Sequence, residues 1–152
     1  MEYVQGGSLK SLIRKYKQLE ESIARNYMKQ LLYGLQYLHA RQIIHRDLKS
    51  ANILVGEEGL VKLTDFGSSK KYGSNERHLT KSLRGSPYWM SPEVLSRKGH
   101  SFPADIWSLG CLLIEMISGR PPWSNYTNIS KEVLALIKTD GLIPDIPMAS
   151  EA

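Results

Sequence analysis

The feature that most constrains the fold of this chain is a predicted β-hairpin with polar residues at both outer ends. Two short β-type runs, Ile53–Val55 and Leu60–Leu63, are separated by the turn-forming residues 56–59. A hairpin of this length would bring Asn52, just before the first run, close to Asp65, just after the second. The sequence therefore predicts that an amide oxygen and a carboxylate lie together at one edge of a small sheet.

The rest of the chain is predicted to be mainly helical. Ser8 is a suitable cap for a short helix that ends near Tyr16. Apolar residues at helical spacing predict a second helix over 20–40, and an apolar stretch predicts a buried central helix over 104–118 that Gly119 terminates. The apolar residues that define the second helix are Ile23, Tyr27, Leu31, Leu35 and Leu38.

Four further segments complete the predicted outline. A third β-type run lies at Ile43–Ile44. Residues 67–92 lack hydrophobic periodicity and are rich in Gly, Ser, Lys and Pro, which predicts a long loop. A last helix is predicted over 128–138, and the proline-bearing segment 142–152 is predicted to be extended.

Charge and cysteine content narrow the functional classes. The net charge is +5, but the basic residues are spread along the chain without a dense run, so we expect no nucleic-acid partner. The single cysteine, Cys111, cannot form an internal disulfide, so we expect it to pack as a small hydrophobe in a cytoplasmic protein. Glu115 interrupts the apolar run around Cys111 and no secretory leader is evident, so we expect no membrane span.

The chemistry is concentrated in the stretch His45–Asn52 and the Asp65–Gly67 triplet. Each has a plain structural interpretation when taken alone, because Asp and Asn often form turns or caps. Together they match the needs of phosphoryl transfer, which are a carboxylate for the attacking hydroxyl and cations on the phosphate. Asp47 would face the hydroxyl and Lys49 the phosphate, while Asn52 and Asp65 would share magnesium.

These motifs resemble the catalytic loop and the metal-binding loop of protein kinases. Three later segments follow in the order found in that family, namely Gly85–Glu93, Asp105–Gly110 and Gly119–Trp123. The resemblance covers nearly the whole chain. It implies an α+β fold that is mainly α, a protein-kinase-like C-terminal lobe with short β-hairpin strands beside the catalytic loop.

The resemblance also implies the roles of the central residues, with ATP and Mg²⁺ as cofactors. Asp47 would be the catalytic base, and Lys49 would contact the transferred phosphate and the substrate hydroxyl. Asn52 and Asp65 would hold magnesium. Leu54 would form the floor under the adenine ring.

Residues outside that centre receive supporting roles from the same resemblance. Glu2 and Val4 fall where kinase hinges present backbone groups to the adenine, and Met1 falls where the residue that guards the back pocket lies. His45 and Phe66 would stack on each other in a hydrophobic column. Two further residues would be structural: Asp105 would bind the backbone of the catalytic loop, and Glu93 would pair with an arginine from helices further along a kinase chain.

Regulation by phosphorylation is predicted around Arg46. In kinases an arginine at this position receives a phosphorylated residue of the activation segment, and either Thr80 or Ser82 is suitably placed. The alternative is that this basic, hydroxyl-rich loop is simply a solvated surface. Ser86 would offer its hydroxyl to Asp47 and Lys49.

The subfamily is indicated by several runs. Lys49 is typical of serine/threonine kinases, which favours those over tyrosine kinases. The segments 1–9, 85–90, 120–124 and 143–147 are similar to MAP kinase kinase kinases. The resemblance implies a protein substrate, a MAP kinase kinase.

Part of a kinase domain has no counterpart in these 152 residues. There is no G-x-G-x-x-G loop, and no strand lysine with its glutamate partner is found. We therefore expect residues 1–152 to be a hinge and C-terminal lobe, truncated at both ends and without the N-terminal lobe, and to be inactive or very weak alone. A non-catalytic module that competes for substrate or partner is the alternative.

Overall fold

The protein, described here by a computed structural model, is mainly helical with four very short strands. The structure describes residues 7–71, 86–126, 135, 137 and 142–148. The helices are α1 (Leu9–Tyr16), α2 (Glu21–Ala40), α3 (Pro92–Leu95) and α4 (Phe102–Ser118); the strands are β1 (Ile43–Ile44), β2 (Ile53–Val55), β3 (Val61–Leu63) and β4 (Lys70–Lys71). This confirms the predicted fold class.

The first two helices begin almost where the sequence predicted. Ser8 caps α1 by accepting a hydrogen bond from the Ser11 backbone N–H at 3.2 Å. The buried stripe of α2 differs in one position, because Ala24 is 1% exposed whereas Ile23 is 39% exposed. Adjacent residues point about 100° apart around a helix, so only one of these two can face the core that Tyr27 and its successors form.

The predicted hairpin is present. Strands β2 and β3 pair antiparallel, with Ile53 opposite Leu63 and Val55 opposite Val61. The turn is a short 3₁₀ segment whose Gly59 has a positive φ of 75°. Gln30 on α2 braces this turn, since its amide donates to the Gly59 carbonyl at 3.0 Å and accepts from the Val61 N–H at 2.9 Å.

The long loop predicted over 67–92 contains short elements that the sequence did not indicate, and the prediction is wrong there. Lys70–Lys71 forms β4, which pairs antiparallel with β1. A 3₁₀ turn occupies Pro87–Trp89, and α3 begins at Pro92. A two-residue strand carries no periodic signal and is created by its tertiary partner. Residues 72–85 lie outside the described part of the chain.

Helix α4 runs through the centre of the fold, and its carboxyl end is locked against the connection between α1 and α2. Leu112 and Met116 are fully buried, and the Leu19 N–H donates to the Met116 carbonyl at 2.9 Å. Gly119 ends the helix with φ 72°, and a Cβ on it would lie 1.6 Å from the Lys17 carbonyl oxygen. Close packing of this kind leaves room for glycine alone.

Two expectations for α4 need correction. The helix begins at Phe102, two residues earlier than predicted, with Pro103 in its first turn. It is also not buried all round, because Ile106 is 51% exposed and Gly110 is exposed. Its outer face instead lines an apolar groove with Ile143 and Ile146, since no described helix or strand covers it.

The remaining predictions are tested only in part. Of the helix predicted over 128–138, the structure describes Ala135 and Ile137, and both are helical. Residues 142–148 are in neither a helix nor a strand, and the extended conformation predicted for 142–152 stays a prediction. Cys111 is buried, and burial raises the pKa of its thiol to about 12. Within the described ranges, none of the helices combines the length and apolar character needed to cross a bilayer.

Candidate active site

Helix α4 fixes the start of the loop that carries the predicted catalytic residues. Asp105 is 1% exposed, and its two carboxylate oxygens accept backbone hydrogen bonds from His45 and Arg46, each at 2.9 Å. The ring of His39 on α2 makes a third contact with this carboxylate at 2.8 Å. The hydrogen bonds predicted between Asp105 and the loop backbone are therefore present. They support a backbone in which Arg46 adopts a positive φ of 71°.

His45 connects this loop to the end of β3. Burial lowers the pKa of His45 below its ordinary value, which favours the neutral ring. A neutral ring with its proton on Nε2 donates to the Thr64 carbonyl at 3.0 Å and accepts the Asp47 backbone N–H on Nδ1 at 3.4 Å. The ring centroids of His45 and Phe66 lie 5.3 Å apart, in the contact predicted for this pair.

Asp47 stands at the centre of a compact hydrogen-bonded group. Its Oδ2 accepts from the Lys49 ammonium at 2.8 Å and from the Asn52 amide at 2.9 Å, and the same amide also donates to the Asp47 carbonyl at 2.8 Å. Lys49 additionally donates to the Ser86 hydroxyl at 3.1 Å, whereas the predicted hydrogen bond from Ser86 to Asp47, both of which the structure describes, is not present. Asp47 Oδ1 is buried and has no hydrogen-bond partner among the described residues. Hydrogen bonds therefore fix the orientation of the Asp47 carboxylate, and its Oδ1 remains without a partner among the described residues.

Asp65 follows the last rung of the hairpin. Both the backbone N–H and the hydroxyl of Thr64 donate to the Asn52 carbonyl at 3.0 Å, so the two chain segments meet at this point. Asp65 is the next residue, has a positive φ of 59° and is exposed. The hairpin thus places the backbone of Asp65 one residue beyond the contact between Thr64 and Asn52.

The donor set at this edge suits magnesium. The Asn52 nitrogen is engaged by Asp47, which leaves the amide oxygen for a cation, and Asp65 adds an exposed carboxylate. Among the residues that the structure describes, no group of three or more His, Cys, Asp or Glu could hold a metal. Magnesium needs no such cage, because it takes one or two protein carboxylates and completes its shell with phosphate and water.

Among the residues predicted to lie around the adenine, the structure describes only Leu54. Its side chain is half-buried and lies on the opposite face of β2 from Ile53 and Val55, which point into the core. Met1, Glu2 and Val4 lie outside the described residues.

The predicted regulatory residues are described in part. Thr80 and Ser82 also lie outside the described residues. The Arg46 side chain donates from Nε to the Ser68 carbonyl, which directs it toward the segment after Asp65. Glu93 on α3 is half-buried and has no salt bridge to another described residue.

Sequence reasoning missed a second tie between α4 and this site. Glu115 is 5% exposed, and its Oε1 accepts the Ser50 hydroxyl at 2.6 Å while its Oε2 accepts the Trp89 indole N–H at 3.1 Å. Burial raises the pKa of Glu115, against these two hydrogen bonds and the charge of Lys10. The available signal was the position of Glu115, the one acidic residue among the apolar residues that follow Asp105 in the helix.

Comparison with known proteins gives one consistent family. A family model described as "Protein kinase domain" matches residues 1–150. Over 154 residues the chain is 47% identical to mitogen-activated protein kinase kinase kinase A of Dictyostelium discoideum, covering 100% of this chain and 16% of that protein.

Two further relatives agree. Mitogen-activated protein kinase kinase kinase ANP1 of Arabidopsis thaliana is 50% identical over 97% of this chain, which corresponds to 22% of that protein. Mitogen-activated protein kinase kinase kinase 3 of Homo sapiens is 45% identical over 97% of this chain and 24% of its own length. The chain thus spans about a fifth of the length of the curated relatives it matches.

Proposed function

Because this chain belongs to the protein kinase domain family, we propose that it carries the catalytic residues of a serine/threonine kinase that transfers the γ-phosphate of ATP to a protein hydroxyl. The observation that carries the proposal is the arrangement around Asp47. One of its oxygens is held by Lys49 and Asn52, and the other is buried without a partner among the described residues.

The unpartnered oxygen is the acceptor that a substrate hydroxyl would satisfy. A buried acceptor without a hydrogen bond is costly, so an incoming O–H group would gain by donating to Asp47 Oδ1. As the hydroxyl oxygen bonds to the γ-phosphorus and the bond from that phosphorus to the leaving oxygen breaks, the hydroxyl proton passes to Oδ1. The bonds to Oδ2 keep the carboxylate oriented throughout.

Lys49 is positioned to stabilise the transferring group. An ammonium has three N–H donors, and two of those of Lys49 are used by Asp47 and Ser86. The third remains for a phosphate oxygen, where its positive charge opposes the negative charge of the phosphoryl group. This lysine also supports serine or threonine, rather than tyrosine, as the acceptor.

Magnesium would be held by the Asn52 amide oxygen and the Asp65 carboxylate. When bound, it supplies positive charge that neutralises the phosphate oxygens. Asp65 contributes an oxygen ligand from the hairpin edge, and Leu54 offers the apolar surface on which we place the adenine ring.

The substrate that fits the family comparisons is a MAP kinase kinase. Each of the relatives above is named for action on such a protein, and the similarity covers the whole catalytic loop and α4. We place this activity in the cytoplasm, in keeping with the single free cysteine.

In our proposal, residues 1–152 are the hinge and C-terminal lobe of a complete kinase domain. This part of the domain carries the residues that face the substrate hydroxyl. The proposal rests on the lack of a G-x-G-x-x-G loop in the sequence. We expect the isolated 152-residue chain to bind ATP weakly and to transfer no phosphate at a useful rate. Robust magnesium-dependent phosphorylation by the purified chain would contradict this.

The direct test of the function is Asp47→Asn in the full-length protein that carries these residues. We expect turnover to fall by about 10²–10⁴-fold, the usual contribution of a positioned base, while ATP affinity changes little. Steady-state kinetics and nucleotide titration measure the two effects. The control is Asp145→Asn at an exposed position, which should leave turnover unchanged. Normal turnover by Asp47→Asn would remove Asp47 from its role.

A further inference from the structure

A buried carboxylate links the catalytic loop to the segment that begins at Ser86. Glu115 lies in the middle of α4 and is 5% exposed, and Ser50, in the loop, is 1% exposed. Each oxygen of Glu115 has its own donor, the Ser50 hydroxyl at 2.6 Å and the Trp89 indole at 3.1 Å. The two donors are 39 positions apart in the chain, so the carboxylate bridges two segments that have no sequence reason to be close.

The burial of the Glu115 carboxylate is unfavourable when only the stability of the fold is considered. A buried carboxylate loses its hydration, and well-packed apolar residues of similar volume are often as stable or more stable at such positions. Burial raises the pKa of Glu115, which is the signature of that cost. What a bridging carboxylate provides, and a leucine would not, is a directional connection between two donors.

A second connection runs alongside the first. Lys49, the neighbour of Ser50, donates to the Ser86 hydroxyl, and Ser86 precedes Trp89 by three residues. The 3₁₀ turn Pro87–Trp89 joins Ser86 to Trp89. The connections therefore form a closed circuit from Lys49 to Ser86, along the turn to Trp89, through Glu115 to Ser50 and back to Lys49.

We propose that Glu115 is a positioning residue for phosphoryl transfer, which sets the distance between the loop that bears Asp47 and Lys49 and the segment Ser86–Trp89. The proposal rests on the proposed function, because it concerns the alignment of the groups that carry out the transfer. Glu115 touches neither nucleotide nor substrate and acts through Ser50 and Trp89.

The closed circuit predicts a specific pattern in the kinetics. Ser50→Ala and Trp89→Phe, in the full-length protein, each remove one donor and open the circuit. We expect each to lower kcat by about 10- to 100-fold, the order expected for a displacement of up to about 1 Å, with KM for ATP unchanged. Because each substitution alone breaks the same link through Glu115, the double variant should fall no further than the lower of the two single variants.

Two other variants separate positioning from general packing. Ser108→Ala removes a hydrogen bond of 2.7 Å from the same helix to the Trp89 carbonyl, without touching the loop, and should leave kcat unchanged. Glu115→Gln keeps an acceptor for the Trp89 indole and an amide N–H that the Ser50 hydroxyl can accept from, so it should retain most of the kcat that Ser50→Ala or Trp89→Phe loses.

A spectroscopic measurement on the 152-residue chain tests the link without any activity. The Trp89 indole proton, assigned by its loss in Trp89→Phe, should resonate downfield in ¹H–¹⁵N spectra because it donates to a carboxylate. It should move upfield in Glu115→Gln, where the acceptor is neutral. A Trp89 indole resonance whose position does not change in Glu115→Gln would overturn the inference.

The outcomes for the inference and for the function are distinguishable. Catalytic inactivity of the wild-type full-length protein would overturn the proposed function and the positioning role with it, while the indole resonance would still report the link. An active wild type in which Ser50→Ala and Trp89→Phe turn over normally would overturn the inference alone. Multiplicative losses in the double variant, or an equal loss in Ser108→Ala, would also overturn it.

Discussion

The two halves of the candidate site are held in very different ways. The loop that carries Asp47 is buried and tied to α4 through Asp105, and Asp47 itself is 9% exposed. The segment that carries Asp65 lies at the surface, where Phe66 is 48% exposed and its described ring contact is with His45. One half belongs to the core, whereas the other is attached to its edge by a hairpin.

The two halves of the site should therefore respond differently to substitution. The position of Asp47 is fixed by buried hydrogen bonds that form when the chain folds, so changes there should appear in the free energy of unfolding. The position of Asp65 depends on a short ladder and an exposed turn, so changes there should appear in metal and nucleotide binding instead. Four substitutions test this division, and they follow in order of expected effect.

The largest effect is expected from Asp105→Ala. The backbone N–H groups of His45, which is buried, and Arg46, which is part-buried, would lose their acceptor, and about 1–3 kcal/mol for each gives a destabilisation of about 2–6 kcal/mol. Denaturant unfolding measures it. The matched substitution on the other half is Asp65→Asn, which keeps a residue that tolerates a positive φ and should change stability by less than about 0.5 kcal/mol. Equal losses of stability in Asp105→Ala and Asp65→Asn would contradict this difference between the two halves.

Gly119→Ala should come next, because it strains the end of the helix that anchors the Asp47 half. A left-handed conformation costs about 1–2 kcal/mol in a residue with a Cβ. The contact with the Lys17 carbonyl adds about 1–3 kcal/mol of overpacking. The thermal midpoint should fall accordingly.

Gly110→Ala is the control for this substitution. It lies inside the same helix with nothing within 4 Å of the added methyl group, and should gain about 0.5–1 kcal/mol. A similar loss of stability in both variants would mean that the clash with the Lys17 carbonyl does not cause the loss in Gly119→Ala.

The third effect is a pH dependence. Burial raises the pKa of Glu115 above its ordinary 4.5, so the stability contributed by its protonated form is present below 4.5 and is lost as the pH rises through the raised pKa. Glu115→Gln has no such loss, and its stability relative to the wild type should increase with pH. Denaturation at several pH values measures the difference. Glu57→Gln, at an exposed position of the hairpin turn, is the control substitution.

The last of the four substitutions is Phe66→Ala, for which we expect a small loss of stability. Its ring is half-exposed and meets His45 at 5.3 Å, so we expect a loss of about 0.5–1.5 kcal/mol. Magnesium-dependent nucleotide binding should change more than stability does. A loss as large as that of Asp105→Ala would place Phe66 in the core and would remove the distinction between the two halves.

The parts of the fold that the sequence predicted are those with a local cause. Ser8 caps α1 because a hydroxyl before an amphipathic run satisfies free N–H groups, and the turn at 56–59 sets the register that brings Asn52 to Asp65. The parts that it missed depend on distant partners. Strand β4 exists because β1 pairs with it, and Ala24 displaced Ile23 because the core accepts one face of α2.

The sequence by itself determined which chemical groups this protein has and their order, since Asp47, Lys49, Asn52 and Asp65 lie within 19 residues. Their local geometry follows from a loop and a hairpin, which need only short-range interactions. Tertiary structure alone decided what holds them, because Asp105 and Glu115 are about 60 residues away along the chain. Hydrogen bonds over that separation form only when α4 is buried, and no pattern within one segment records them.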